Sequence, residues 1–141
     1  MTDKTTGELQ QELMEQPNIN AYLSDNRSCF MAQGILQLLE ALRGRCGLSK
    51  AEIARRSGMS EVYLHQVFSG RRNPSRDRLL TLCVGMGASL EETSQLLKQA
   101  SYAQLYPRLR RDAIISHGLI HHHPLREINE ALFAENEKTL S

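Results

Sequence analysis

Leu48-Ser49-Lys50-Ala51-Glu52-Ile53-Ala54-Arg55-Arg56-Ser57-Gly58-Met59-Ser60 contains two helix starts and one helix stop. Ser49 with Glu52 three residues on forms a capping-box pattern, in which the serine oxygen accepts from the glutamate amide and the glutamate side chain returns to the serine amide. The helix so opened stops at Gly58, and Ser60 sits where the next N-cap belongs. A third helix then runs to about Ser69, before Gly70, a residue suited to the left-handed turn that ends helices. Two helices separated by so few residues have the spacing of a helix-turn-helix.

Working outward, a core helix is expected from about Phe30 to Arg45, because Met31, Ile35, Leu38, Leu39 and Leu42 recur at helical spacing and Gly44 and Gly47 punctuate its end. Downstream, Asn73-Pro74-Ser75 starts a fourth helix through about Val84, with Leu79, Leu82 and Cys83 inward and Gly85 and Gly87 flanking its end. Ser89-Leu90-Glu91-Glu92 is a second capping box, opening a fifth helix that carries Leu96 and Leu97. Past Pro107 two further helices are predicted, near 108–118 and 124–135, the second with Pro124 at its first position. No strand-like alternation occurs, so the expected fold is all-α. The expected organisation is an acidic N-terminal segment over 1–28, a five-helix helix-turn-helix domain over 29–100, and a C-terminal helical extension over 101–141 packed on that domain. Within the first segment a short helix over 7–15, broken at Pro17, and a frayed arm are both open readings.

The third helix divides on a helical wheel. Tyr63, Leu64, Val67 and Phe68 fall on one arc and Glu61, Val62, His65, Gln66 and Ser69 on the other. An outward face of this kind, with Arg71 and Arg72 just past the helix end, suits a major-groove reader. Charge is distributed accordingly. Residues 1–26 hold one basic against five acidic residues, 27–80 hold ten against four, and 81–141 hold six against seven, so a net of +1 conceals a basic middle third.

The same residues, with Tyr63 to Ser75, Leu79-Leu80 and Gly85 to Glu92, resemble the XRE family of phage-repressor-like helix-turn-helix domains over roughly residues 30–100. The resemblance implies an α-helical DNA-binding regulator that inserts helix 60–69 in the major groove. It places Glu61, Val62 and Gln66 at base-reading positions, with His65 on the same face, and it gives phosphate contacts to Lys50, Ser60, Arg71 and Arg72. Gln66 can pair bidentately with adenine, and Val62 can meet a thymine methyl. Glu61 departs from the uncharged residue common in the family. A carboxylate there either accepts from cytosine N4 or simply complements the helix dipole.

Other constellations carry less. His117, His121, His122 and His123 are expected in a polar loop or turn, three of them consecutive and pointing apart, with a pH-responsive patch as the other reading. Cys29, Cys46 and Cys83 lack a CxxC pair or an activating histidine motif, which points to structural use. Arg108, Arg110 and Arg111 extend the phosphate surface or, by preference, pair with the acidic N-terminal segment. Leu125, Ile128 and Leu132 with Phe133 are expected to dock on the core, a dimer contact being the other reading. No catalytic residues, metal site or cofactor are indicated by any nucleotide, hydrolase or metalloprotease motif. No apolar run is long enough to span a bilayer and no secretory leader is evident, so the expectation is a cytoplasmic protein without a membrane partner. The expected partners are duplex DNA and a second copy of the chain. The rival reading is a protein-interaction adaptor that keeps the scaffold without sequence-specific DNA binding.

Overall fold

The computed structural model describes residues 4–25 and 31–141, with side chains described over 4–23 and 34–141. The readings placed on Cys29, Phe30 and the Met31 side chain lie outside the described residues. Among them every regular element is a helix: α1 (Thr6–Glu15), α2 (Ile19–Asp25), α3 (Met31–Cys46), α4 (Lys50–Ser57), α5 (Glu61–Phe68), α6 (Arg76–Met86), α7 (Leu90–Gln99), α8 (Arg110–Ile120) and α9 (Leu125–Ala134).

Serines start four of the middle helices. Ser49, Ser60, Ser75 and Ser89 each accept a hydrogen bond from the amide three residues on, at 3.1–3.2 Å. Of the two expected capping boxes only Ser89–Glu92 is complete, the Ser89 amide donating to Glu92 Oε1 at 2.9 Å. At Ser49 the return bond is missing, and the Glu52 carboxylate is turned instead to the guanidinium groups of Arg55 and Arg56 one turn on. The Arg55 hydrogen bond holds the Glu52 carboxyl below its ordinary value.

Helix α6 is the hub, packing against α3, α4, α7, α8 and α9. From Leu79 to Met86 only Val84 escapes full burial, so the helix is apolar on every side, the pattern of an interior helix. It reaches Met86 rather than ending near Val84, which puts Gly85 inside the helix instead of beyond it. The reason is steric. A Cβ at Gly85 would lie 2.1 Å from Ser57 Oγ, so only glycine lets α4 approach α6 so closely. The stop is at Gly87, whose φ of +66° is the left-handed cap.

Around this hub one core is formed by Leu39, Leu42, Ile53, Leu64, Val67, Leu80, Leu96 and Leu97 together with Ile115, Leu119, Ile128 and Leu132 of α8 and α9. The Leu125, Ile128 and Leu132 stripe thus packs inward, but Phe133 is 78% exposed, one step round α9 from the buried arc. Pro124 is the N-cap of α9, one residue earlier than expected. The C-terminal stretch returns to the core. Leu140 is buried, and its amide donates to Asn129 Oδ1 (2.7 Å) while Asn129 Nδ2 donates to its carbonyl (3.0 Å).

The arginines of α8 pair within this half of the molecule, which corrects the expected pairing with the N-terminal acids. Arg111 makes a bidentate bond to Asp77 (2.9 and 3.1 Å) and Arg110 meets Glu135 at 3.0 Å. Buried Asp112 accepts from Arg76 (3.2 Å) and from the Tyr106 amide (3.0 Å), fastening the segment after α7 to the start of α6. At the other end, the helical reading of the N-terminal stretch holds for Thr6–Glu15 and stops before Pro17, and α2 follows, which the sequence reading did not anticipate. Cys83 is buried and Cys46 half-buried.

Candidate nucleic-acid interface

The left-handed Gly58 (φ +63°) ends α4 by donating its amide to Ala54 and Arg55 carbonyls, and two residues later Ser60 opens α5. The turn therefore closes both helix ends with local bonds and fixes the angle between them. From α5, Leu64, Val67 and Phe68 are buried, and Tyr63 is half-buried with the Arg78 guanidinium 4.5 Å over its ring. On the opposite side Val62 is 68% exposed, and Glu61 and His65 are exposed with it. The expected division of the helix is the observed one.

Lys50, Val62, His65, Gln66 and Arg71 share a shallow concave surface with Phe68 at its base. Lys50, the first residue of α4, holds its ammonium 5.6 Å from the Phe68 ring centre, within cation–π range. No carboxylate pairs with Lys50 or Arg71 among the described residues, so two cations flank the exposed face of α5. The loop after α5 is tied back to it, since the Arg71 and Arg72 amides donate to the Gln66 carbonyl at 2.9 and 3.3 Å. Ser60 Oγ accepts from the Tyr63 amide, which leaves its hydroxyl hydrogen available to an incoming acceptor.

Two side chains on this face have internal partners that the sequence reading did not anticipate. Glu61 Oε1 lies 3.6 Å from His65 Nε2, an i,i+4 pair that the spacing alone allows. Gln66 Oε1 accepts from Arg72 Nε at 3.1 Å, a contact across a loop that no helical period reveals. The Gln66 oxygen keeps a second lone pair and its NH₂ remains a donor, so the Arg72 bond constrains the side chain but leaves both groups that a bidentate adenine pairing needs.

His121, His122 and His123 lie in the expected turn, between α8 and α9, but His117 lies in α8, and its ring sits 4.4 Å from His121 and 5.5 Å from His123, with 5.9 Å between those two. His122, with φ +55°, supplies the reversal that brings His123 back toward α8. Among the described residues no group of three or more His, Cys, Asp or Glu is arranged to hold a metal ion. None of the described helices is long and apolar enough to cross a membrane.

Among known proteins, no curated sequence and no solved structure matches the chain. A family model does match, over residues 36–96, and its description is a helix-turn-helix domain. The matched stretch starts within α3, contains α4, the Gly58 turn, α5 and α6, and ends within α7. Residues 36–96 of this chain are a helix-turn-helix domain.

Proposed function

We propose that the chain is a duplex-DNA-binding regulator of the phage-repressor-like XRE class, with 29–100 as the binding unit and 101–141 as an extension that completes its core. The observation that carries this is the two-faced α5. Its buried arc fixes the helix, and its open arc, flanked by Lys50 and Arg71 without carboxylate partners, faces outward. In this reading α5 enters the major groove, and Lys50, Ser60, Arg71 and Arg72 hold phosphates. Base reading follows from the donor and acceptor inventory. Glu61 only accepts, so it suits the amino group of cytosine or adenine, and Gln66, whose oxygen keeps a second lone pair beside Arg72, suits a bidentate pair with adenine. Val62 meets a thymine methyl, and His65 keeps the Glu61 carboxylate oriented.

The experiment is a titration of labelled duplex between about 50 and 200 mM salt, where each phosphate neutralised contributes about −0.9 to the log–log slope. Substituting Arg71 by Ala should flatten the slope by about one. Absence of duplex binding at the low end of this range would overturn the proposal.

One observation favours the adaptor reading: both Glu61 and Gln66 already have partners within the chain. Stoichiometric recovery of a protein partner through α5, abolished by Val62→Asp, with no duplex retained, would decide for it.

A further inference from the structure

A cleft of about 600 Å³ opens on the side of α4 away from Lys50, where the C-terminal ends of α4 and α6 meet the start of α9. Its floor is hydrocarbon from Val84, Pro124 and Leu125, with Gly58 and Gly87 adding no side chain. A Cβ at Gly87 would meet nothing within 4 Å, and one at Gly58 would only graze Leu125 at 3.8 Å. The volume is that of a small-molecule site and exceeds what a few waters need.

The charged groups on the wall are all cations: Arg55, Arg56 and Arg126, with His122 and His123 beside them. The carboxyl ends of α4 and α6 bring negative potential here that the arginines must outweigh, and the left-handed caps bond only part of their carbonyls. Gly58 bonds Ala54 and Arg55, and Gly87 bonds Cys83 and Val84. Carboxylates stand near these groups but outside the cleft lining. Glu52 is shared by Arg55 and Arg56, Glu130 stands 3.8 Å from Arg126, and Glu127 lies 3.9 Å from His123. The three arginines are matched in number by Glu52, Glu127 and Glu130, but none of these carboxylates lines the cleft, and exposed pairs of this kind yield readily to a competing anion. Asn129 also borders the cleft, but its amide is committed to Leu140.

We propose that this cleft binds an amphipathic monoanion, an acyl or aryl carboxylate, with its carboxylate on Arg55, Arg56 and Arg126 and its hydrocarbon part on Val84, Pro124 and Leu125. Guanidinium groups recognise carboxylates by paired hydrogen bonds, and the apolar floor supplies the remaining affinity by burial. The cleft is formed jointly by the helix-turn-helix domain and α9, so an occupant contacts both.

The test is a titration of the full chain, labelled for backbone amide spectra, with decanoate and separately with decanol. Decanoate should saturate at one equivalent and move the amides of Gly58, Gly87 and Leu125, with decanol at least about tenfold weaker. The double variant Arg56→Gln, Arg126→Gln removes two exposed cations, and its melting temperature should stay at the wild-type value while its decanoate affinity falls about tenfold or more. Equal affinity for decanol and decanoate would overturn the proposal, as would decanoate binding untouched by the double variant or shifts confined to other helices. A third arm uses phosphatidylglycerol vesicles. A response to vesicles and not to dissolved decanoate would identify a lipid-surface contact and overturn a site for a free carboxylate.

Discussion

Replacing Gly85 by alanine tests the contact that positions α4 against α6. In an open helix interior the change would stabilise by about 1 kcal/mol through lost backbone entropy in the unfolded chain. Here the new methyl would stand 2.1 Å from Ser57 Oγ and 3.3 Å from Ser57 Cβ and N, so α4 must move or the serine must turn. Overpacking costs about 1–3 kcal/mol and a 2.1 Å contact lies in the upper part of that range, about 2–3 kcal/mol, which leaves a net loss of about 1–2 kcal/mol. Ser57 Oγ is also buried without a hydrogen-bond partner among the described residues, so Ser57→Ala alone should stabilise, by up to about 1 kcal/mol. With that oxygen gone the remaining 3.3 Å contacts need only a few tenths of an ångström of give. Gly85→Ala in the Ser57→Ala background should therefore be close to neutral. The double-mutant cycle, measured by urea unfolding, should show a coupling of about 1–2 kcal/mol. Additive effects, or a Gly85→Ala protein as stable as wild type, would refute the close-approach argument.

Four other outcomes are expected. Glu61→Gln removes a negative charge beside the phosphates and should tighten duplex binding by about fivefold, roughly 1 kcal/mol, at low salt, while weakening any preference for cytosine; a competition titration measures both. Leu140→Ala empties a buried position held by Asn129 and should destabilise by about 2–4 kcal/mol in the same urea assay. Burial pushes the Cys83 thiol up to about 12, so peptide-resolved alkylation near pH 8 should leave it unmodified until the protein unfolds, with half-buried Cys46 reacting first. Burial opposes ionisation of Glu92, but the Ser89 amide and Arg45 outweigh it and hold its carboxyl below the ordinary value of 4.5. A depressed folded value means that its stabilisation is complete above the unfolded value and is lost as pH falls through the folded one. The stability gap between wild type and Glu92→Gln should thus be present at about pH 7 and closed at about pH 2.

What was legible in the sequence was whatever is decided within one helical turn. The serines at 49, 60, 75 and 89 and the glycines at 58, 70 and 87 act on amides and dihedrals of their immediate neighbours, and the buried arc of α5 follows from its own period. Features decided by distant neighbours were missed. Arg111 chose Asp77, 34 positions away, over the nearer-looking logic of opposite net charge. Gly85 reads as a helix end until α4 is laid across it. The histidine cluster exists because α8 and α9 fold back at His122. At the interface, the exposed face and its flanking cations were legible, whereas the Arg72 bond that holds the Gln66 oxygen depends on a loop path. Glu52 is the local exception, its carboxylate turning to Arg55 and Arg56 within its own helix.

The fully enclosed α6 also provides the molecule with an internal gauge. Amides in its centre, around Leu80 to Cys83, are covered by five neighbouring helices, so they can exchange with solvent deuterium only when the whole assembly opens. Helix α1, with no buried residue, should exchange in partial openings instead. Anything that binds the native state slows the α6 amides by its full binding free energy, wherever it docks. One set of protected amides thereby reports occupancy of the α5 face and of the α4–α9 cleft on a common scale, with no label at either.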